Sequence, residues 1–147
     1  MEKNFCKVRS IGDIIASLLL ILFGFGFIIL PGAAAINVTG IFVLIAGIIL
    51  ALAMKSAYKD SSTGELYSKK ERYFSHAKQE ELKHSLTSPN HFCTKGENEG
   101  NSLRLDIYYN HNKMYIQLLE YVPYSYEPCS QFYEHDLDKG FNFLQKK

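Results

Sequence analysis

From Ile14 to Met54 the chain lacks Asp, Glu, Lys, Arg and His over 41 consecutive residues. A stretch this empty of charge is foreign to a water-facing surface and reads as a membrane element. As one helix it would extend roughly 60 Å at ~1.5 Å per residue, about twice the ~30 Å hydrocarbon core, so it is expected to fold back once. The same absence excludes a transporter or proton path, which needs ionisable groups at mid-membrane depth. Cysteine is scarce and unpaired in pattern: Cys6, Cys93 and Cys129 are odd in number and form no CxxC. That argues against a disulfide framework and a zinc ribbon, leaving free thiols in a reducing compartment. Residues 55–147 have no excess of either charge, with 13 Lys plus Arg against 13 Asp plus Glu. A basic nucleic-acid reader is thereby excluded, and nucleic acid is not an expected partner. Catalytic, metal and nucleotide motifs are missing, and no internal repeat is visible, so no cofactor is expected.

What is present begins with a polar lead carrying Lys3, Lys7 and Arg9 ahead of the first apolar run. Basic residues in this position mark the cytoplasmic side. The first span is expected at about 11–30, with Asp13 in the headgroup layer, and the second at about 35–54. Pro31-Gly32 breaks the run, because proline cannot continue a helix and glycine readily turns. Lys55, Lys59, Lys69, Lys70 and Arg72 follow the second span, which puts both termini on the cytoplasmic face. A competing reading takes the basic lead, the apolar run and Ala33-Ala34-Ala35 as a cleavable signal peptide. The run exceeds the ~7–15 residues of a signal core, and a second span follows at once. Gly24, Gly26, Gly40, Gly47 and Ala51 supply small-residue faces where two helices can approach closely, within the hairpin or between copies.

Residues 56–67 read as a juxtamembrane linker centred on Ser61-Ser62-Thr63-Gly64. Ser68-Lys69-Lys70-Glu71 fits a capping box, which predicts an amphipathic helix from Ser68 to Thr87. Leu103, Leu105 and Ile107, then Met114, Ile116 and Leu118, alternate with more polar residues around Asn110-His111-Asn112 and predict an antiparallel hairpin. Phe132, Tyr133, Leu137, Phe141 and Leu144 are spaced for one face of a last helix beginning at Cys129 or Ser130. The expected fold is therefore a membrane α-helical hairpin of two transmembrane helices, residues 1–55, followed by a small α+β soluble domain of order αββα, residues 68–147.

Seven tyrosines fall between Tyr108 and Tyr133. Tyrosine offers a rigid apolar face with a hydroxyl at its edge, which suits recognition. Tyr121, Tyr124, Tyr126, Glu127, Pro128 and Tyr133 are the candidate interaction surface. The alternative chemistry is a nucleophilic Cys129, its thiolate favoured by a helix start, working with His135 and Glu127. A metal site from His91, Cys93, Cys129 and His135 has suitable ligand types but no tight paired spacing. In architecture alone the chain resembles small two-pass membrane proteins of the bacterial inner membrane. The expectation is a non-enzymatic, integral membrane protein whose cytosolic domain binds a protein partner or itself, with the lipid bilayer as its other partner. A membrane-tethered enzyme and a lipid or envelope-stress sensor are the rival functions.

Overall fold

The computed structural model describes residues 3–32 and 34–145, so Ala33 of the possible cleavage tripeptide lies outside the described residues. Two compact units result, one formed by Lys7–Ala57 and the other by the residues up to Cys6 with those from Tyr58 onward.

The first unit is a pair of helices, α1 (Ile11–Ile29) and α2 (Ala34–Ala53). Both are long and apolar enough to cross a membrane, and most of their large apolar side chains face outward. Ser10 caps α1 through a reciprocal pair: Asp13 N–H donates to Ser10 Oγ at 3.1 Å, and Ser10 N–H donates to Asp13 Oδ2 at 2.9 Å. The same carboxylate accepts from Ser56 N–H at 2.8 Å and Ser56 Oγ at 2.7 Å. Asp13 thus ties the start of α1 to the residues just after α2. Between the helices, a Cβ on Gly24 would lie 2.6 Å from Leu44 N, and one on Gly40 would lie 2.9 Å from both Gly24 O and Ile28 N. Only glycine permits this backbone approach.

The second unit is built on an antiparallel sheet. Among the described residues seven strands run in the order β1 (Phe5–Val8), β2 (Ala57–Asp60), β3 (Leu66–Phe74), β4 (Leu103–Tyr109), β5 (Lys113–Val122) and β6 (Ser125–Pro128), with β7 (Tyr133–Asp136) also on β5. The hairpin expected from Leu103 to Leu119 forms as β4–β5. Asn110 Oδ1 accepts the N–H groups of Asn112 and Lys113 at 2.9 and 2.8 Å, which sets its turn. One face of the sheet is a core of Phe74, Leu103, Leu105, Ile107, Met114, Ile116 and Leu118, covered by Leu82 and Leu86 of α3 (Gln79–Thr87) and by Phe92 and Phe143.

The expected αββα order is corrected in three places. Residues 68–74 are strand, because seven cross-strand pairs with β4 outweigh the local helix signal. Only Gln79–Thr87 of the predicted helix is α-helical. The last helix shrinks to α4 (Leu137–Gly140), because Tyr133 to Asp136 pair with Lys113 to Ile116 instead. The juxtamembrane linker is likewise a strand and a tight turn. Asp60 accepts from Ser62 N–H and Ser62 Oγ at 2.9 and 2.7 Å, and Gly64 completes the turn at φ +75.

Candidate functional site

Strand alternation divides the second face of the sheet into two regions. At one end Tyr67, Tyr108 and Tyr115 form a buried aromatic cluster with Phe5, Tyr58 and Phe132 around it. Phe5 stacks on Tyr108 with ring centroids 4.1 Å apart. Lys3 reaches over the Tyr115 ring and pairs with the fully buried Asp60 at 2.5 Å. This region packs as a second core.

Toward the β5–β6 hairpin the same face opens. Tyr121 and Tyr126 are cross-strand partners with ring centroids 5.3 Å apart, and Tyr73 on β3 meets Tyr126 at 6.2 Å. The Arg104 guanidinium lies 4.6 Å from the Tyr126 ring centroid, within cation–π range. Tyr126 Oη donates to Asn101 O at 2.7 Å, and Tyr121 N–H donates to Ser102 O at 2.8 Å, fixing the loop before β4 against the hairpin. Asn101, Ser102, Tyr121 and Tyr126 line a hollow of about 400 Å³. Pro123 and Tyr124 form the two-residue turn beyond the last pair, Val122 with Ser125. Tyr124 is held at φ 75 and is 98% exposed, while Tyr121 is 54% exposed.

Beneath the rings the charges answer one another. Lys69 Nζ lies 2.6 Å from Glu71 and 2.8 Å from Asp106, and Arg104 Nε lies 2.8 Å from Asp106 Oδ1. Burial opposes the charge on Lys69, yet its bonds to Asp106 and Glu71 prevail and raise its pKa. Tyr73 Oη donates to Glu71 at 2.7 Å, and that bond, with burial, raises the phenol's pKa.

The six candidate surface residues therefore divide. Tyr121 and Tyr126 come together, Tyr124 stands at the tip, and Pro128 follows on the same face opposite Leu119. Glu127 pairs with Glu120, so alternation sends it to the opposite face, still exposed. Tyr133 packs on the core, because its partner Ile116 points there. Tyr73 and Arg104 belong to the surface but escape a sequence reading that makes 68–87 a helix. The alternation of Tyr67, Lys69, Glu71 and Tyr73 is the signal that carried them.

The alternative chemistry does not assemble. Cys129 starts no helix; it follows β6, and its N–H donates to Leu118 O at 3.0 Å. Burial pushes its thiol pKa up. His135 sits beside Met114, four residues from Leu118 along β5 and so roughly 13 Å away, with Nε2 2.7 Å from Leu86 O. Among the described residues no three His, Cys, Asp or Glu side chains converge as metal ligands. In the helix pair, Gly24, Gly40 and Gly47 lie buried against the neighbouring helix, Ala51 is half-buried, and Gly26 faces open space. No family model, curated protein or solved structure matches the chain.

Proposed function

We propose that this chain is a two-pass membrane protein of the bacterial inner membrane, both termini cytoplasmic, whose sheet domain binds a protein partner through Tyr121, Tyr124 and Tyr126. Support for the membrane assignment comes from the outward apolar faces of α1 and α2. Lys7, Arg9 and Lys55 flank the same end of the helix pair, as the positive-inside rule requires of cytoplasmic ends. The observation that carries the interaction reading is Tyr124, an aromatic ring 98% exposed on a backbone conformation that disfavours any side chain but glycine or asparagine. Strain of this kind is retained where the position does work. An exposed aromatic tip beside a tyrosine-lined hollow suits the centre of an interface.

The test is site-specific photocrosslinking in native membranes with a benzoylphenylalanine placed at Tyr124 and, as a control, at the exposed Lys139. A discrete adduct from position 124 and none from 139 supports the reading. An adduct with a second copy of the chain would make the partner the protein itself. No adduct from 124, or the same products from both positions, would remove it.

A further inference from the structure

We propose that the polar end of the helix pair holds a discrete site for one anionic phospholipid, its phosphate on Arg9 and one acyl chain in the groove of Ile14, Leu18, Ile21 and Leu50. The site rests on the reading of α1 and α2 as a membrane anchor. These residues line a hollow of about 230 Å³ that is polar at its Arg9 and Asp13 end and apolar along its length save for Ser17, whose Oγ donates to Ile14 O at 3.0 Å. From Ser10 to Ile21 the groove follows α1 for roughly 16 Å, about half of the ~30 Å hydrocarbon core. It thus has the polarity and depth of one leaflet, with the charged group at the headgroup end.

Charge selects the ligand. Arg9 is exposed and, among the described residues, donates one hydrogen bond, to Leu52 O at 3.3 Å, which leaves most of its five-donor fork for an anion. The one carboxylate in the hollow, Asp13, is 5% exposed and already accepts from Ser10 N–H, Ser56 N–H and Ser56 Oγ. These bonds take up three of its roughly four acceptor sites, so it is poorly placed to bond the ammonium of a zwitterionic headgroup. Lys7 and Lys55, both exposed, add a diffuse positive field at the same end. Ala51 keeps the groove open, and a larger side chain there would occupy the chain's path.

Full-length protein in mild detergent, given phosphatidylglycerol, phosphatidylethanolamine or phosphatidylcholine and analysed by native mass spectrometry, tests this. One phosphatidylglycerol should be retained per chain in preference to the other two. Arg9→Gln should weaken retention about tenfold, and Ala51→Leu should weaken it as much without removing a charge. Lys7→Gln and Lys55→Gln should each change it by less than about twofold, helicity being unchanged in all four. Equal losses from Arg9→Gln, Lys7→Gln and Lys55→Gln would overturn the site in favour of a diffuse basic collar, as would a preference for phosphatidylethanolamine or full retention by Ala51→Leu. Release of the chain from membranes by alkaline carbonate would refute the anchor itself. Firm membrane retention without lipid selectivity would refute only the lipid site.

Discussion

On the proposed reading, Tyr124 separates stability from function in a single residue. It occupies the second corner of the Pro123–Tyr124 turn at φ 75, where a type II turn wants glycine or asparagine. The left-handed region costs a residue with a Cβ roughly 1–2 kcal/mol. Because the ring is 98% exposed, no packing inside the chain repays that cost. Tyr124→Asn keeps a side chain that tolerates the conformation and should gain about 0.5–1 kcal/mol. Tyr124→Gly relieves the strain fully but gives back about 0.4–1 kcal/mol through the freer unfolded chain, so it should match asparagine at best. Tyr124→Val, β-branched, should lose about 1 kcal/mol or more. Urea unfolding of the full chain in mild detergent measures the series, and tyrosine emission reports it because the chain has ten tyrosines and no tryptophan. Capture of the crosslinked partner, measured in parallel, should fall in the asparagine and glycine variants while stability holds or rises. A Tyr124→Asn variant destabilised by more than about 1 kcal/mol would refute the strain argument. Unchanged capture would refute the role of the ring.

Three further outcomes are expected. Burial of Asp60 would raise its pKa, but the Lys3 ammonium, Ser62 N–H and nearby hydroxyls outweigh it and hold the carboxyl well below the ordinary range. Its contribution is therefore complete above the unfolded value of about 3.9 and is lost as pH falls below it. Asp60→Asn, which strands Lys3, should cost about 3–5 kcal/mol at neutral pH and flatten the acid limb, as read by urea midpoints from neutral pH down to about pH 2. Gly40→Leu should cost at least about 1–3 kcal/mol by forcing the helices apart, whereas Gly26→Leu, facing open space, should leave the thermal loss of helical circular dichroism in place. Cys129, half-buried with a raised thiol pKa, should react with iodoacetamide more slowly than exposed Cys6 and Cys93 near pH 7.5. A rate equal to theirs would restore it as a nucleophile.

The helix pair was legible because its signal is local: no charge, then Pro31-Gly32. The β4–β5 hairpin was legible for the same reason, since alternation and the Asn110 turn lie within one short stretch. Strand β3 was not, because Ser68 and Glu71 imitate a capping box and Lys, Glu and Arg are good helix formers. What decides it is pairing with residues 29 to 41 positions away. Phe5 is the extreme case: its stacking on Tyr108 joins the chain's start to β4 with no local trace. At the candidate site Tyr121, Tyr124 and Tyr126 could be chosen from composition. Whether Tyr133 joins them depends on strand register, which sends it to the core.

The charged residues under the tyrosines also decide what kind of recognition this face supports. Lys69, Glu71, Arg104 and Asp106 form a closed set in which each cation meets a carboxylate, and Asp106 lies 5% exposed between its two partners. Among the described residues, this set leaves none of its own charges unmatched. If the proposed binding is right, electrostatic steering, which accelerates association at low salt, is weak here, and burial of the rings of Tyr121, Tyr124 and Tyr126 supplies the driving force. Affinity for the partner should change little between about 0.05 and 0.5 M salt, whereas lipid retention at Arg9 should fall across the same range. Parallel salt dependence at both would mean that the tyrosine face binds through charge after all, and that its ion pairs open when the partner arrives.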